Sequence, residues 1–197
     1  MRWATYVSPT DEMRHVGLFV GGALHGLRDR VALTDLVADG AVLTGAARRA
    51  RSDPFEVLDP GRARLCAPVP TPPSVRDFMA FENHVLTSLK ALGRQVDPGW
   101  YEQPVFYFSN PAAIRGPHDD IPIAPGCARW DYELEVAAVI GRPGADLHPA
   151  QAEAHIAGYT IFCDWSARDV QTREMRQLLG PAKGKDTATS IGPFLVT

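Results

Sequence analysis

Apolar and polar positions divide the chain into a β-rich beginning and a mixed remainder. Residues 3–7 and 16–20 are short runs with β-branched and aromatic side chains, which predicts strands. Gly21-Gly22, between Phe19-Val20 and Ala23-Leu24, predicts a hairpin turn. Thr34-Asp35-Leu36-Val37 opens a short helix. Prolines then crowd Ala67-Pro68-Val69-Pro70-Thr71-Pro72-Pro73. Proline continues neither a helix nor a central strand, so this stretch reads as a linker or domain crossing. The expected organisation is a small β-rich domain over residues 1–70 and a larger domain over residues 71–197.

Ser74 suits a helix N-cap, and Phe78, Phe81, Val85, Leu89 and Leu92 recur at steps of three and four before Gly93. That spacing predicts one amphipathic helix from residue 74 to residue 93. Residues 105–108 read as a strand, and residues 132–140 as the strongest strand of the chain. A helix is expected over 151–157, a buried strand over 159–163, and a helix over 164–179 stopped by Gly180-Pro181. The final residues, 192–197, run into an apolar strand. An incomplete sheet is expected from that ending, with further chain or a partner to pair its edge. The fold class is α+β.

Composition narrows the function. The 197 residues are 45% hydrophobic and 22% charged, which is ordinary for a globular chain. A formal net charge of -3 gives no basic field, so nucleic acid is not an expected partner. Cys66, Cys127 and Cys163 lie far apart, without metal or disulfide spacing, which suits reduced thiols in a cytoplasmic protein. No stretch approaches the roughly 20 apolar residues of a membrane span, and residues 1–6 lack the apolar run of a signal peptide.

The chemistry concentrates in acidic motifs. In Asp131-Tyr132-Glu133-Leu134-Glu135, strand alternation turns Glu133 and Glu135 to one face, continued by the apolar Ala137 and Val139. Two carboxylates in a closed environment repel and lose hydration, and a cation resolves both problems. A solvated strand end is the alternative. Asp164-Trp165-Ser166-Ala167-Arg168-Asp169-Val170-Gln171 follows an apolar run. Asp164 at the N-cap would share one helix face with Arg168 and Gln171, or would simply cap while Arg168 pairs elsewhere. Gly184-Lys185-Asp186-Thr187 lies in a glycine loop without phosphate-loop spacing, where a solvated lysine is the plain reading. His84, on the helix expected after the prolines, reads as surface, core or catalytic.

Taken together, Asp131-Tyr132-Glu133-Leu134-Glu135, residues 164–171 and Gly184-Lys185-Asp186-Thr187 resemble the fumarylacetoacetate hydrolase family, over roughly residues 74–197. The resemblance implies a mixed β-roll, usually paired as a homodimer. It implies that Glu133, Glu135 and Asp164 hold Mg²⁺, Mn²⁺ or Ca²⁺. Asp77 joins them in the branch that places an aspartate seven residues before a histidine. His84 is then the general base, Arg168, Gln171 and Lys185 act on substrate, and Tyr107 of Pro104-Val105-Phe106-Tyr107 contacts it. Many smaller members carry a glutamate three residues after the histidine, where this chain has Thr87. The implied substrate is a small 2-oxo or 2,4-dioxo acid, and the implied reaction is metal-dependent C–C hydrolysis. Oxaloacetate decarboxylation, isomerisation and hydration belong to the same family, and a non-catalytic metal-binding remnant is the reading from another class.

Overall fold

The structure, a computed structural model, describes residues 1–91 and 93–197. Leu92, one of the apolar positions in the spacing above, lies outside the described residues. The chain opens with strands β1 (Arg2–Val7), β2 (Arg14–Val20) and β3 (Ala23–Gly26). Gly21 and Gly22 join β2 to β3 with φ of 58° and 90°. Only glycine adopts that pair of values without strain, and it gives the two-residue turn whose twist matches the strands. Helices α1 (Leu33–Val37) and α2 (Gly40–Ser52) follow, then β4 (Val57–Leu58) and β5 (Arg64–Cys66). The second part runs β6 (Val75–Phe78), α3 (Glu82–Ala91), β7 (Phe106–Ser109), β8 (Ile114–Arg115) and β9 (Trp130–Ile140). It continues as α4 (Pro149–Ala152), β10 (Ile156–Ala167), α5 (Arg168–Met175), β11 (Thr189–Ile191) and β12 (Leu195–Val196).

Ten strands form one mixed sheet in the order β4-β3-β2-β1-β12-β10-β11-β8, with β5 also on β1 and β9 on β10. Among these pairs β11–β8 is parallel. Strand β12 joins the first strands to the last, since Trp3 pairs with Leu195 and Tyr159 with Val196. The main core collects at this seam: Trp3, Leu18, Leu33, Leu36, Ala46 and Leu195 are buried together, with Val139 and Ala157 against them. The fold is α+β and mostly sheet, as expected from the sequence.

Four local expectations need correction. Residues 74–93 do not form one helix. Val75 to Phe78 is a strand paired with β7, Asp77 opposite Tyr107, and α3 begins only at Glu82. The helical spacing of Phe78 and Phe81 is therefore coincidental. Phe81 is 78% exposed, and Phe78 packs on Phe106 across the pair. Cross-strand pairing overrode a local periodic signal. Asp164 caps no helix. Strand β10 continues to Ala167, opposite Trp130 of β9, and Ala167 occupies the N-cap of the shorter α5. The face shared by Asp164, Arg168 and Gln171 at helical steps thus does not exist. The strand over 159–163 is not buried on both sides, because Tyr159 and Ile161 face outward. The helix expected over 151–157 is a single α turn and a 3₁₀ turn, ending at His155.

Helix α2 was not expected. Its buried positions are Leu43, Ala46, Ala47 and Ala50, and the Asp39 side chain caps it by accepting from Ala41 and Val42. Leu43, Ala46, Ala47 and Ala50 do recur at helical steps, a signal that the sequence reading passed over. Truncating Leu195, which is fully buried at the seam, should cost about 2–5 kcal/mol. Urea unfolding of Leu195→Ala should show a lower midpoint at an unchanged slope. An unchanged midpoint would mean that β12 does not tie the two parts together.

Candidate metal centre

Strand β9 pairs with β10 over eleven residues, and the register places Glu133 directly opposite Asp164 and Glu135 opposite Phe162. Alternation turns Glu133, Glu135, Ala137 and Val139 to the half-buried face and Leu134 and Val136 to the exposed one. The sequence reading of that face holds. Strand β10 lies between β9 and β11, where Asp164 also opposes Thr189. This central place leaves Asp164 with 0% exposure. On the two-stranded sheet, Asp77 and Tyr107 are partners, and the Tyr107 hydroxyl reaches Asp77 Oδ2 at 2.6 Å. The same hydroxyl donates to Asp164, which docks the small sheet onto the large one.

The result is a four-carboxylate cluster. Asp77, Glu133, Glu135 and Asp164 each offer an oxygen, and these atoms all lie within 4.8 Å of one another. Like charges on opposed strand positions are destabilising unless compensated. Lys185, only 2% exposed, supplies part of the compensation. Its Nζ lies 2.7 Å from Asp164 Oδ2 and 3.0 Å from Glu133 Oε2, and it donates to Ser166 Oγ at 2.8 Å. Arg168, at the start of α5, donates to Glu133, to Asp131 Oδ2 at 2.9 Å and to Gln171 Oε1 at 3.3 Å.

Charge compensation is uneven, and the protonation equilibria record it. Burial opposes the Glu133 charge, but hydrogen bonds and charge from Arg168 and Lys185 prevail and hold its carboxyl below the ordinary value. Burial and the negative charges of Asp77, Asp164 and Glu133 push Glu135 up to about 8. Burial raises Asp164 to about 6 despite the adjacent Lys185. Burial, then the Asp164 and Asp77 carboxylates, drive the Tyr107 phenol far above its usual range. Asp164 Oδ1 is buried and has no hydrogen-bond partner among the described residues. A buried carboxylate oxygen without a partner, beside a carboxyl that resists ionisation, is a donor set that a cation would satisfy. The donors are all oxygen, so the residues fit a hard divalent ion better than zinc or copper.

The structure thus brings together Asp77, Glu133, Glu135, Asp164, Lys185 and Tyr107, with Arg168 at the rim on Glu133 and Gln171 behind Arg168. It leaves His84 apart. That residue is exposed on α3, and its Nε2 lies 3.5 Å from Ser88 Oγ. Two polar groups that bear on the cluster were not singled out from the sequence, namely Asp131, which accepts from Arg168 at the rim, and the buried Ser166, which accepts from Lys185. Both were readable from alternation, because Asp131 shares the face of Glu133, and Ser166 that of Asp164.

Fold and site define a mixed β-roll that carries a carboxylate centre suited to a divalent cation. Residues 74–197 match the family Fumarylacetoacetate (FAA) hydrolase C-terminal. The chain belongs to the fumarylacetoacetate hydrolase family. A human mitochondrial oxaloacetate tautomerase, FAHD2A, is 32% identical over 168 residues, covering 84% of this chain and 50% of the relative. A fumarylacetoacetase from rice, Oryza sativa subsp. japonica, is 35% identical over 120 residues, covering 52% of this chain and 28% of the relative. The solved fumarylacetoacetate hydrolase of Exiguobacterium antarcticum superposes with a TM-score of 0.69 at 25% identity, covering 100% of this chain and 66% of that one. The chain spans about half the length, or less, of these curated relatives.

A pH dependence follows from the raised carboxyls. Groups whose pKa is higher folded than unfolded stabilise the fold most when protonated and lose that contribution as pH rises through the folded value. Without metal, the melting temperature should fall between pH 4.5 and about 8, the ordinary and shifted values of Glu135. Glu135→Gln should flatten this fall, and saturating Mg²⁺ should remove it. A calorimetric series with the same slope in wild type and Glu135→Gln would refute the charge assignment.

Proposed function

We propose that the chain carries the divalent-cation centre of a hydrolase that cleaves a carbon–carbon bond in a 2,4-dioxo acid of the acylpyruvate type. The observation that carries this reading is the four-carboxylate cluster with its orphaned Asp164 oxygen. Asp77, Glu133, Glu135 and Asp164 would hold Mg²⁺ or Mn²⁺. When bound, such an ion would supply positive charge to the oxygens of a 2-oxo acid as the carbon–carbon bond breaks.

The chain's own side chains supply the rest. Lys185 holds Asp164 and Glu133 in place and sets their charge. Arg168 orients Glu133, Gln171 accepts from Arg168 and steadies it, and both would position substrate oxygens at the rim. Tyr107 reaches the inner edge of the cluster and contacts substrate from there. His84 follows Asp77 by seven residues on the next helix, is open to solvent, and takes the proton from the attacking water.

Tautomerisation of oxaloacetate is the second reading. Two observations favour it: the tautomerase relative matches most of the chain, and His84 lies outside the cluster. That reaction moves a proton across the enolate and needs no water-activating base.

The test follows Mg²⁺- or Mn²⁺-dependent loss of acylpyruvate diketone absorbance, beside the enol-to-keto conversion of oxaloacetate. Hydrolysis predicts cleavage that vanishes in Glu133→Ala and falls by about 10²–10⁴ in His84→Ala. Oxaloacetate conversion without cleavage, untouched by His84→Ala, would replace hydrolysis with tautomerisation. Activity toward neither substrate, with or without metal, would refute both.

A further inference from the structure

Outside the cluster itself, the strongest unexplained arrangement surrounds Glu174, near the end of α5. Its Oε1 accepts from the backbone N–H groups of Ala182 and Gly184, both at 2.9 Å, and its Oε2 from that of Lys183 at 2.8 Å. Three successive amides aimed at one carboxylate form a small anion-binding concavity, here filled by the protein's own side chain. A carboxylate in the last turn of a helix faces the negative end of the helix dipole, so its place there requires such a partner. The amides gain as well, since a backbone N–H without an acceptor is costly wherever water is excluded.

The loop that Glu174 gathers is the one that delivers Lys185. Lys185 N–H donates to Ala182 O at 3.0 Å, closing a turn within the loop, and Ala167 N–H donates to Gly184 O at 2.8 Å, tying the loop to the end of β10. Gly184 lies so close to α5 that a Cβ would stand 2.7–2.9 Å from the Gln171 Cβ, Cα and N. Only glycine permits that approach. The following residue is then aimed inward, and its ammonium ends beneath Asp164 and Glu133.

The geometry points to Glu174 as a positioning residue: its carboxylate gathers the amides of residues 182–184 and thereby holds the Lys185 ammonium in the centre. The inference rests on the reading of Lys185 as part of that centre. It needs no substrate to be tested, because a buried amine is protected from acylation and a released one is not.

The experiment is brief acetic anhydride labelling of the intact chain, with Lys185 acetylation read by mass spectrometry against the exposed Lys90 and Lys183. In wild type Lys185 is protected. In Glu174→Ala its labelling relative to Lys90 should rise by about tenfold or more through local opening, while urea unfolding remains a single cooperative transition. Glu174→Gln retains the oxygen that serves Ala182 and Gly184 and loses the acceptor for Lys183, so its labelling should be intermediate. Protection as complete in Glu174→Ala as in wild type overturns the proposal. If Glu174→Ala does not fold, Glu174→Gln decides: raised Lys185 labelling supports the role, and wild-type labelling overturns it. A wild-type chain that shows no turnover, but whose protected Lys185 becomes labelled in Glu174→Ala, would fault the proposed reaction and leave this positioning role standing.

Discussion

The mutual repulsion of four carboxylates, three on the large sheet and Asp77 on the two-stranded one, is the constraint around which this site is arranged. Two like charges about 4 Å apart oppose each other by roughly 4 kcal/mol near a protein surface, and more where water is excluded. Asp77, Glu133, Glu135 and Asp164 each place an oxygen within 4.8 Å of the others. Lys185 and Arg168 relieve Glu133 and part of Asp164. Glu135 accepts from no cationic side chain among the described residues, and its raised pKa expresses the remaining imbalance. The protein tolerates this because the strands that carry Glu133, Glu135 and Asp164 are fixed by an eleven-residue ladder, with Val139 and Ala157 of those strands packed on the main core.

Helix α5 acts as the frame on which the polar side of the site is hung. Arg168 reaches Glu133 from its first turn. Asp169 accepts from Cys127 Sγ at 3.2 Å and from Ala128 N–H at 3.2 Å, which fastens the loop that leads into β9. Glu174 gathers the loop that leads to Lys185. One short helix thereby fixes the approach of two loops and one side chain to the same cluster. Such secondary contacts orient the groups that act directly, and a small displacement at a charged site has a large energetic effect.

Family membership and local chemistry agree on the class of site and differ in what they say about reaction. The carboxylates and the buried lysine suit any chemistry that passes through an enolate. Choice among such reactions depends on how water and protons reach the substrate: the spacing of His84 after Asp77 speaks for water activation, whereas its exposed place on α3 and the tautomerase relative speak for proton transfer alone.

By itself the sequence determined the acidic face of β9, because alternation over a long strand leaves Glu133 and Glu135 no choice of side once Ala137 and Val139 face inward. It also determined the Gly21-Gly22 hairpin, because two consecutive positive φ values require glycine. The family motifs singled out Asp77, Asp164 and Lys185 without showing how they meet. Tertiary structure decided that Asp77 sits on a strand rather than a helix, since its pairing with Tyr107 is with residues thirty positions away. It decided that Asp164 lies in a central strand between β9 and β11, where burial follows from neighbours on both sides. It also decided that Lys185, in a loop that reads as solvated, turns inward. A lysine is buried only where partners are already assembled, and here those partners come from distant parts of the chain.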